Sequence, residues 1–184
     1  CKDLMAFSFG GHEVHTYIWN DGKKLEELGL PSEGYLKLTN SLSPDISTIR
    51  CELVPSLLCV TARNKGYKPE FTVFEIGSVV RGLKEDGLAD ERKKLGIVLW
   101  GRKADERQLF VQARRIVESI AQLLRNTSFT FERQEAPRPW EHPYNAFLIM
   151  ADDLVLGDLA VVHPSVPGRI DKKGTAVAIE IDME

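Results

Sequence analysis

A chain of 184 residues with 24 Lys and Arg against 27 Asp and Glu carries a formal net charge of −3, with 43% hydrophobic and 28% charged residues. That balance is ordinary for a globular chain, which at this length buries roughly 70% of its unfolded surface without needing disulfides. It excludes a strong overall positive field, so any nucleic-acid contact has to be local; the absence of an apolar run near ~18 residues and of a basic-then-apolar start points to a soluble, cytoplasmic protein with no membrane partner.

Residues 3–9 and 23–28 carry short helical patterns. At 53–64, Leu53, Leu57, Val60 and Thr61 recur at three- and four-residue steps, Pro55 falls in the first turn where its missing N–H is tolerated, and Gly66 is placed to end the helix. Residues 71–80 and 95–100 are apolar runs of strand type. Leu109, Ala113, Ile116, Val117, Ile120, Leu123 and Leu124 then form one apolar stripe, with Arg114, Arg115, Glu118, Gln122 and Arg125 opposite and Asn126 closing the helix. Strand patterns return at 129–133, 146–150, 155–162 and 175–182, and Asp152-Asp153 makes a hairpin of 146–162. Strands and helices that do not alternate regularly predict an α+β fold, a mostly antiparallel sheet with its helices on one face. Without repeats or linker tracts, residues 1–184 read as a single domain. The start at Cys1 and the strand-like end predict a piece of a longer chain.

The residues with chemical potential are few. Cys51 and Cys59, if both helical, stand ~12 Å apart along the axis, too far for a disulfide or a shared metal, and read as apolar filler in a reduced setting. His12 and His15 flank Glu13, but a zinc helix needs two His four residues apart and a strand points these two to opposite faces, so no metal is assigned. His163 before Pro164 lacks a nucleophile or acid at recognisable spacing and reads as a turn residue bonded to backbone. The Arg114, Arg115 and Arg125 face, interleaved with Glu118 and without aromatics, reads as solvated rather than phosphate-binding. Trp140, after the Pro-rich 136–139 connection, is placed to cover a sheet edge or to meet a partner.

Several segments follow one another in a recognisable order: Asn40-Ser41-Leu42-Ser43, Ile49-Arg50, Leu53-Val54-Pro55-Ser56-Leu57-Leu58, Asn64, and Phe74-Glu75-Ile76-Gly77. Together they resemble the core domain of the phenylalanyl-tRNA synthetase beta chain, whose pattern runs Asn-Pro-Leu-Ser, Leu-Arg, Leu-Leu-Pro-x-Leu-Leu, Asn, Phe-Glu-Ile-Gly. Upstream, Gly11-His12-Glu13-Val14-His15-Thr16-Tyr17 is similar to the family's Gly-Phe-x-Glu-Val-x-Thr-Tyr. Downstream, His142-Pro143 with Ala146, Gly157, Val162-His163-Pro164-Ser165-Val166 and Ile179-Glu180-Ile181-Asp182 resemble its later motifs. Ser41 stands for the usual Pro, Cys51-Glu52 for a small hydroxyl pair, and the Asp-rich Lys-Gly helix start is absent before Ile116.

The resemblance implies the class II synthetase sheet in a copy that does not itself perform adenylation. It implies an alpha2-beta2 assembly in which the phenylalanyl-tRNA synthetase alpha subunit attaches phenylalanine to tRNA(Phe) with ATP and Mg. The family's magnesium ligands lie in a separate upstream domain, so no cofactor or metal is assigned to this chain. Class II enzymes neutralise the ATP phosphates with an Arg on the motif 2 strand and another after a Gly-rich strand. Strand 71–80 contains no Arg, 175–184 has none, and Arg169 lacks a Gly-x-Gly-x-x-Arg setting, so no catalytic residue is assigned. The positions carried over as structural are Asn40, Ser43, Arg50, Pro55, Asn64, Phe74, Glu75, Gly77, His142, Pro143, Gly157, His163 and Pro164. Arg50 and Glu75 are expected to form a partly buried ion pair that fixes the helix on the sheet, in preference to a vestigial ligand contact. Leu53, Leu57 and Val60 are the candidate interface with the alpha subunit. The alternatives are a divergent paralogue acting as a tRNA- or small-ligand-binding module, and a chain that keeps ligase activity through other residues.

Overall fold

The computed structural model describes residues 1–30, 35–38, 41, 46–125 and 128–183. The chain opens with a π-helical turn, Leu4–Ser8, that buries Met5, followed by β1 (Gly11–Glu13) and β2 (Trp19–Asn20). α1 (Gly22–Glu27) starts where the Asp21 carboxylate accepts the Lys24 backbone N–H at 3.2 Å. β3 (Leu36–Lys37) and β4 (Thr48–Ile49) join β2 in a small sheet of order β2-β4-β3. Strands of two residues are too short to carry an alternation, and nothing in the sequence pattern marks them. α2 (Val54–Asn64) starts one residue after the predicted helix, with Pro55 in its first turn.

The long strands follow: β5 (Glu70–Leu83) and β6 (Ala89–Arg102). α3 (Glu106–Ile120) is capped by the Asp105 carboxylate on Arg107 N–H and buries the predicted stripe Leu109, Ala113, Ile116, Val117 and Ile120. It continues as a π-helical turn, Ala121–Arg125, whose wider winding takes Leu123 off the stripe and leaves it 69% exposed, where the sequence pattern expected it inside. β7 (Thr130–Arg133), β8 (Glu141–Ala151), β9 (Leu154–Val162), α4 (Ser165–Ile170) and β10 (Gly174–Asp182) complete the chain. The hairpin is formed as expected, with Ala151 opposite Leu154 and Asp152 at a φ of 52°, a conformation Asp tolerates.

The main sheet has the order β1-β5-β6-β10-β9-β8-β7 and is antiparallel except between β1 and β5. Helices pack on both of its faces, where the sequence reading placed them on one. α1, α2 and α4 cover Val73, Val98, Trp100, Ala160 and Ala178; α3 covers Phe74, Leu95, Ile97, Leu99, Leu159, Val177 and Ile179. The reason lies in the strands themselves, since residues 95–100 and 176–181 are buried at both parities, with Glu180 the one charged side chain among them, and have no side to give to water. No helix among the described residues is long and apolar enough to cross a membrane.

Candidate functional site

One row of residues crosses the α2 face of the sheet. The register sets Glu75 of β5 opposite Gly96 of β6, Gly96 opposite Glu180 of β10, and Glu180 opposite Asp158 of β9. Carboxylates in one buried row lose their charge or destabilise the fold unless cations meet them. Each has one. Arg50, just ahead of α2, puts Nη2 3.0 Å from Glu75 Oε1, donates from Nε to the Ser78 carbonyl at 2.9 Å, and donates from Nη1 to Thr16 Oγ1. Lys94 Nζ stands 2.7 Å from Glu180 Oε1, and Arg138 Nη2 lies 2.6 Å from Asp158 Oδ2. The Arg50, Glu75, Lys94 and Glu180 side chains are 4, 3, 5 and 0% exposed, so these two pairs are held out of water.

Two glycines make room for the row. A Cβ on Gly96 would come within 2.7 Å of Leu53 Cβ and 2.9 Å of Leu57 Cδ1, so glycine lets the start of α2 lie directly on the sheet. A Cβ on Gly77 would meet Arg50 Nη2 at 2.5 Å and Glu75 Oε1 at 2.8 Å. The first N–H groups of α2 then find the second oxygen of Glu180, whose Oε2 accepts from Leu53 N at 2.6 Å and Val54 N at 3.2 Å. No capping side chain precedes this helix locally, and a carboxylate from the last strand satisfies its orphan donors and favours its positive end.

The row extends outward through Arg138. Glu52 Oε2 accepts the Trp140 indole N–H at 3.0 Å and lies 3.5 Å from Arg138 Nη1, while Glu52 Oε1 accepts the Tyr35 hydroxyl at 3.2 Å. Glu141 Oε2 accepts the Arg138 backbone N–H, and its Oε1 is buried with no hydrogen-bond partner among the described residues. Burial, then the neighbouring Glu180 charge, pushes the Glu52 carboxyl above the usual range; burial does the same at Asp158 against the pull of Arg138. The Glu141 carboxyl is pushed up to about 7 by burial. Burial works against the charge of Arg138, but Asp158, Glu180, Glu52 and Glu141 more than offset it. A cation that neutralises a phosphate needs donors open to the ligand. Here the cations of the row are committed to carboxylates, and the start of α2 lies over Gly96 and Glu180.

The residues singled out in the sequence fall in several places. Arg50, Glu75 and Gly77 meet in the row, and Phe74 faces α3 in the opposite core. Pro55 is buried in the first turn of α2 and Asn64 ends that helix, donating from Nδ2 to the Val60 carbonyl at 2.8 Å. Asn40 and Ser43 lie outside the described residues. His142 and Pro143 stand on β8, where pairing with β9 is interrupted between Glu141 and Ala146, and His142 Nδ1 accepts the Tyr144 N–H at 3.2 Å. His163 shares a 2.7 Å hydrogen bond with Ser165 Oγ, and Pro164 leads into α4. Gly157 sits on β9 between Ile149 and Ile181. His12 meets the Tyr67 ring edge-on while His15 turns toward Glu13, and among the described residues no three His, Cys, Asp or Glu side chains converge as a metal set.

Four expectations are corrected. Leu53 and Leu57 are fully buried in the chain's own core, because α2 needs its apolar stripe to cover the sheet, so they are closed to a partner; Val60 alone of the three is half-exposed. Trp140 is 1% exposed and belongs to the core on the α2 face, neither capping an edge nor awaiting a partner. Cys51 precedes α2 and is not helical; burial pushes both its thiol and that of Cys59 up to about 11. β5 runs past residue 80 and includes Arg81, half-exposed and 3.2 Å from Asp182, so the strand is not free of arginine. Sequence reasoning named Glu180 only within a family motif and gave no role to it, nor to Lys94, Arg138 and Asp158. Charged residues inside apolar runs, at 158 and 180, were the signal for two of them.

A family model described as the phenylalanyl tRNA synthetase beta chain CLM domain matches residues 1–183. The phenylalanine–tRNA ligase beta subunit of Moorella thermoacetica is 30% identical over 190 residues, covering 97% of this chain and 23% of that one. The corresponding subunit of Helicobacter pylori strain J99 is 28% identical over 174 residues, covering 90% of this chain and 22% of that one. The chain thus spans less than a quarter of the length of these curated relatives. Among solved structures, Desulfitobacterium hafniense PylSc, a pyrrolysyl tRNA synthetase, superposes with a TM-score of 0.71 at 15% identity, over 96% of this chain and 61% of that one. The shared fold is the class II aminoacyl-tRNA synthetase type, a large, mostly antiparallel sheet flanked by helices. With the family model matched over 183 residues, the chain belongs to the phenylalanyl-tRNA synthetase beta chain CLM domain family.

Proposed function

We propose that these residues act as one non-catalytic core module of a phenylalanine–tRNA ligase beta subunit, in the cytoplasm, packing against the alpha subunit and holding it in an active arrangement. The alpha subunit performs the chemistry with ATP and Mg and charges tRNA(Phe); this module reaches the tRNA only through the whole assembly. One observation carries the reading. The face of the sheet where charges gather is filled from within, with Arg50, Lys94 and Arg138 each bound to a carboxylate and the start of α2 set down on the row. Such a row braces a fold, and it offers a nucleotide phosphate no uncommitted cation there. Arg81, the exposed arginine of β5, is engaged by Asp182.

The test is phenylalanine-dependent exchange of pyrophosphate into ATP, with the chain alone at high concentration. No exchange is expected, and adding Arg81→Ala changes nothing. Exchange by the chain alone that Arg81→Ala abolishes contradicts the non-catalytic reading.

A further inference from the structure

Between residues 14–21, α1 and the outer side of α2 lies an open cleft of about 610 Å³, of a size that takes a ligand or a partner's side chains. Val14, Leu25, Cys59 and Val60 give it apolar walls. Asn20, also on its wall, is 3% exposed; its Oδ1 accepts the Ser56 hydroxyl at 3.4 Å, and its Nδ2 has no hydrogen-bond partner among the described residues. A buried amide donor left unpaired is unfavourable, and an acceptor from outside the chain relieves it. Asp21, Lys24 and Arg63 also line the cleft, and Asp21 is tied to Lys24 at 2.5 Å, so the surplus charge is the Arg63 guanidinium. Around it Tyr17, Trp19 and Ile46 are 83, 43 and 45% exposed. Aromatic side chains and arginine gathered on one exposed patch are the composition of a protein interface.

We infer that this cleft docks a segment of a partner chain that presents one carboxylate to Arg63, a carbonyl to Asn20 Nδ2 and apolar side chains to Val60 and Trp19. A small free carboxylate satisfies Arg63 and Asn20 but leaves Tyr17 and Ile46 in water, which favours a polypeptide. The inference rests on the reading above, in which the partner is an alpha subunit, and it moves the contact from the buried stripe of α2 to the helix's outer side.

The experiment measures binding of the alpha subunit from the same organism to the full chain and to Arg63→Glu, Trp19→Ala and Arg115→Glu, the last on the exposed face of α3. Arg63→Glu and Trp19→Ala each weaken binding by about tenfold or more, as truncation of an arginine or tryptophan anchor does. Arg115→Glu binds as the parent does. In the parent complex, amide hydrogen exchange slows at 14–21 and in α2. A complex whose affinity none of the three variants changes, with exchange slowed elsewhere, overturns the docking site and leaves the packing reading standing. No complex with the parent chain overturns both.

Discussion

Glu180, on the last strand, accepts the backbone N–H of Leu53 at 2.6 Å while its other oxygen holds Lys94 at 2.7 Å. One fully buried carboxylate therefore caps a helix, neutralises a strand lysine and ties residues 127 positions apart. Replacing it by alanine leaves the buried Lys94 ammonium with only its 3.5 Å contact to Asp182 and frees two helix donors. We expect Glu180→Ala to lower unfolding stability by ~3–5 kcal/mol, the usual cost of breaking a buried pair, read from urea denaturation. Loss of less than about 1 kcal/mol contradicts the role assigned to Glu180.

Arg50 is the corresponding anchor at the other end of the row. Arg50→Ala leaves Glu75 buried without its cation and removes the bond to the Ser78 carbonyl. The expected loss is again ~3–5 kcal/mol, visible as a markedly lower melting temperature. Glu75→Gln with Arg50→Met should recover part of it, because the desolvated charges then go together. An unchanged melting temperature in Arg50→Ala sinks the brace.

Gly96 tests the seating of α2. A methyl group there would stand 2.7 Å from Leu53 Cβ, and Leu53 belongs to the first turn's approach to the sheet rather than to a mobile side-chain end. Gly96→Ala should cost ~1–3 kcal/mol by overpacking. In the same variant the amides of Leu53 and Val54 should exchange faster, since lifting the helix stretches their bonds to Glu180.

Glu141 gives the stability a pH dependence of known sign. Burial pushes its carboxyl up to about 7 in the folded chain, from an ordinary 4.5. Between those values the folded state holds a proton that the unfolded state has lost. The contribution is fully present below the unfolded value and is lost as pH rises through 7, on the order of 3 kcal/mol. Glu141→Gln should flatten stability between pH 5 and about 8 and raise it at the upper end. Denaturation midpoints for parent and variant that run parallel across this range contradict the assignment.

What could be read from the sequence follows the range of the forces involved. The stripe from Leu109 to Ile120 repeats at helical spacing, and Asp152-Asp153 marks its own turn, so α3 and the hairpin were visible without coordinates. The pairing of Arg50 with Glu75 came from the resemblance, not from spacing. Glu180 as the cap of α2 has no local signature, because its partner lies at the other end of the chain. Trp140 looked free beside prolines, yet Glu52, itself 88 residues away, accepts its N–H and holds it in the core. Leu53 and Leu57 were legible as apolar but not as inward, since periodicity identifies a stripe and only the fold decides what covers it.

This chain, as the proposed scaffold for a separate catalytic subunit, must bind that subunit stably. The most direct measurement mixes it with the alpha subunit from the same organism and determines mass by size-exclusion chromatography with light scattering. A stable species containing both chains is the predicted result, and two separate peaks at micromolar concentration would contradict it.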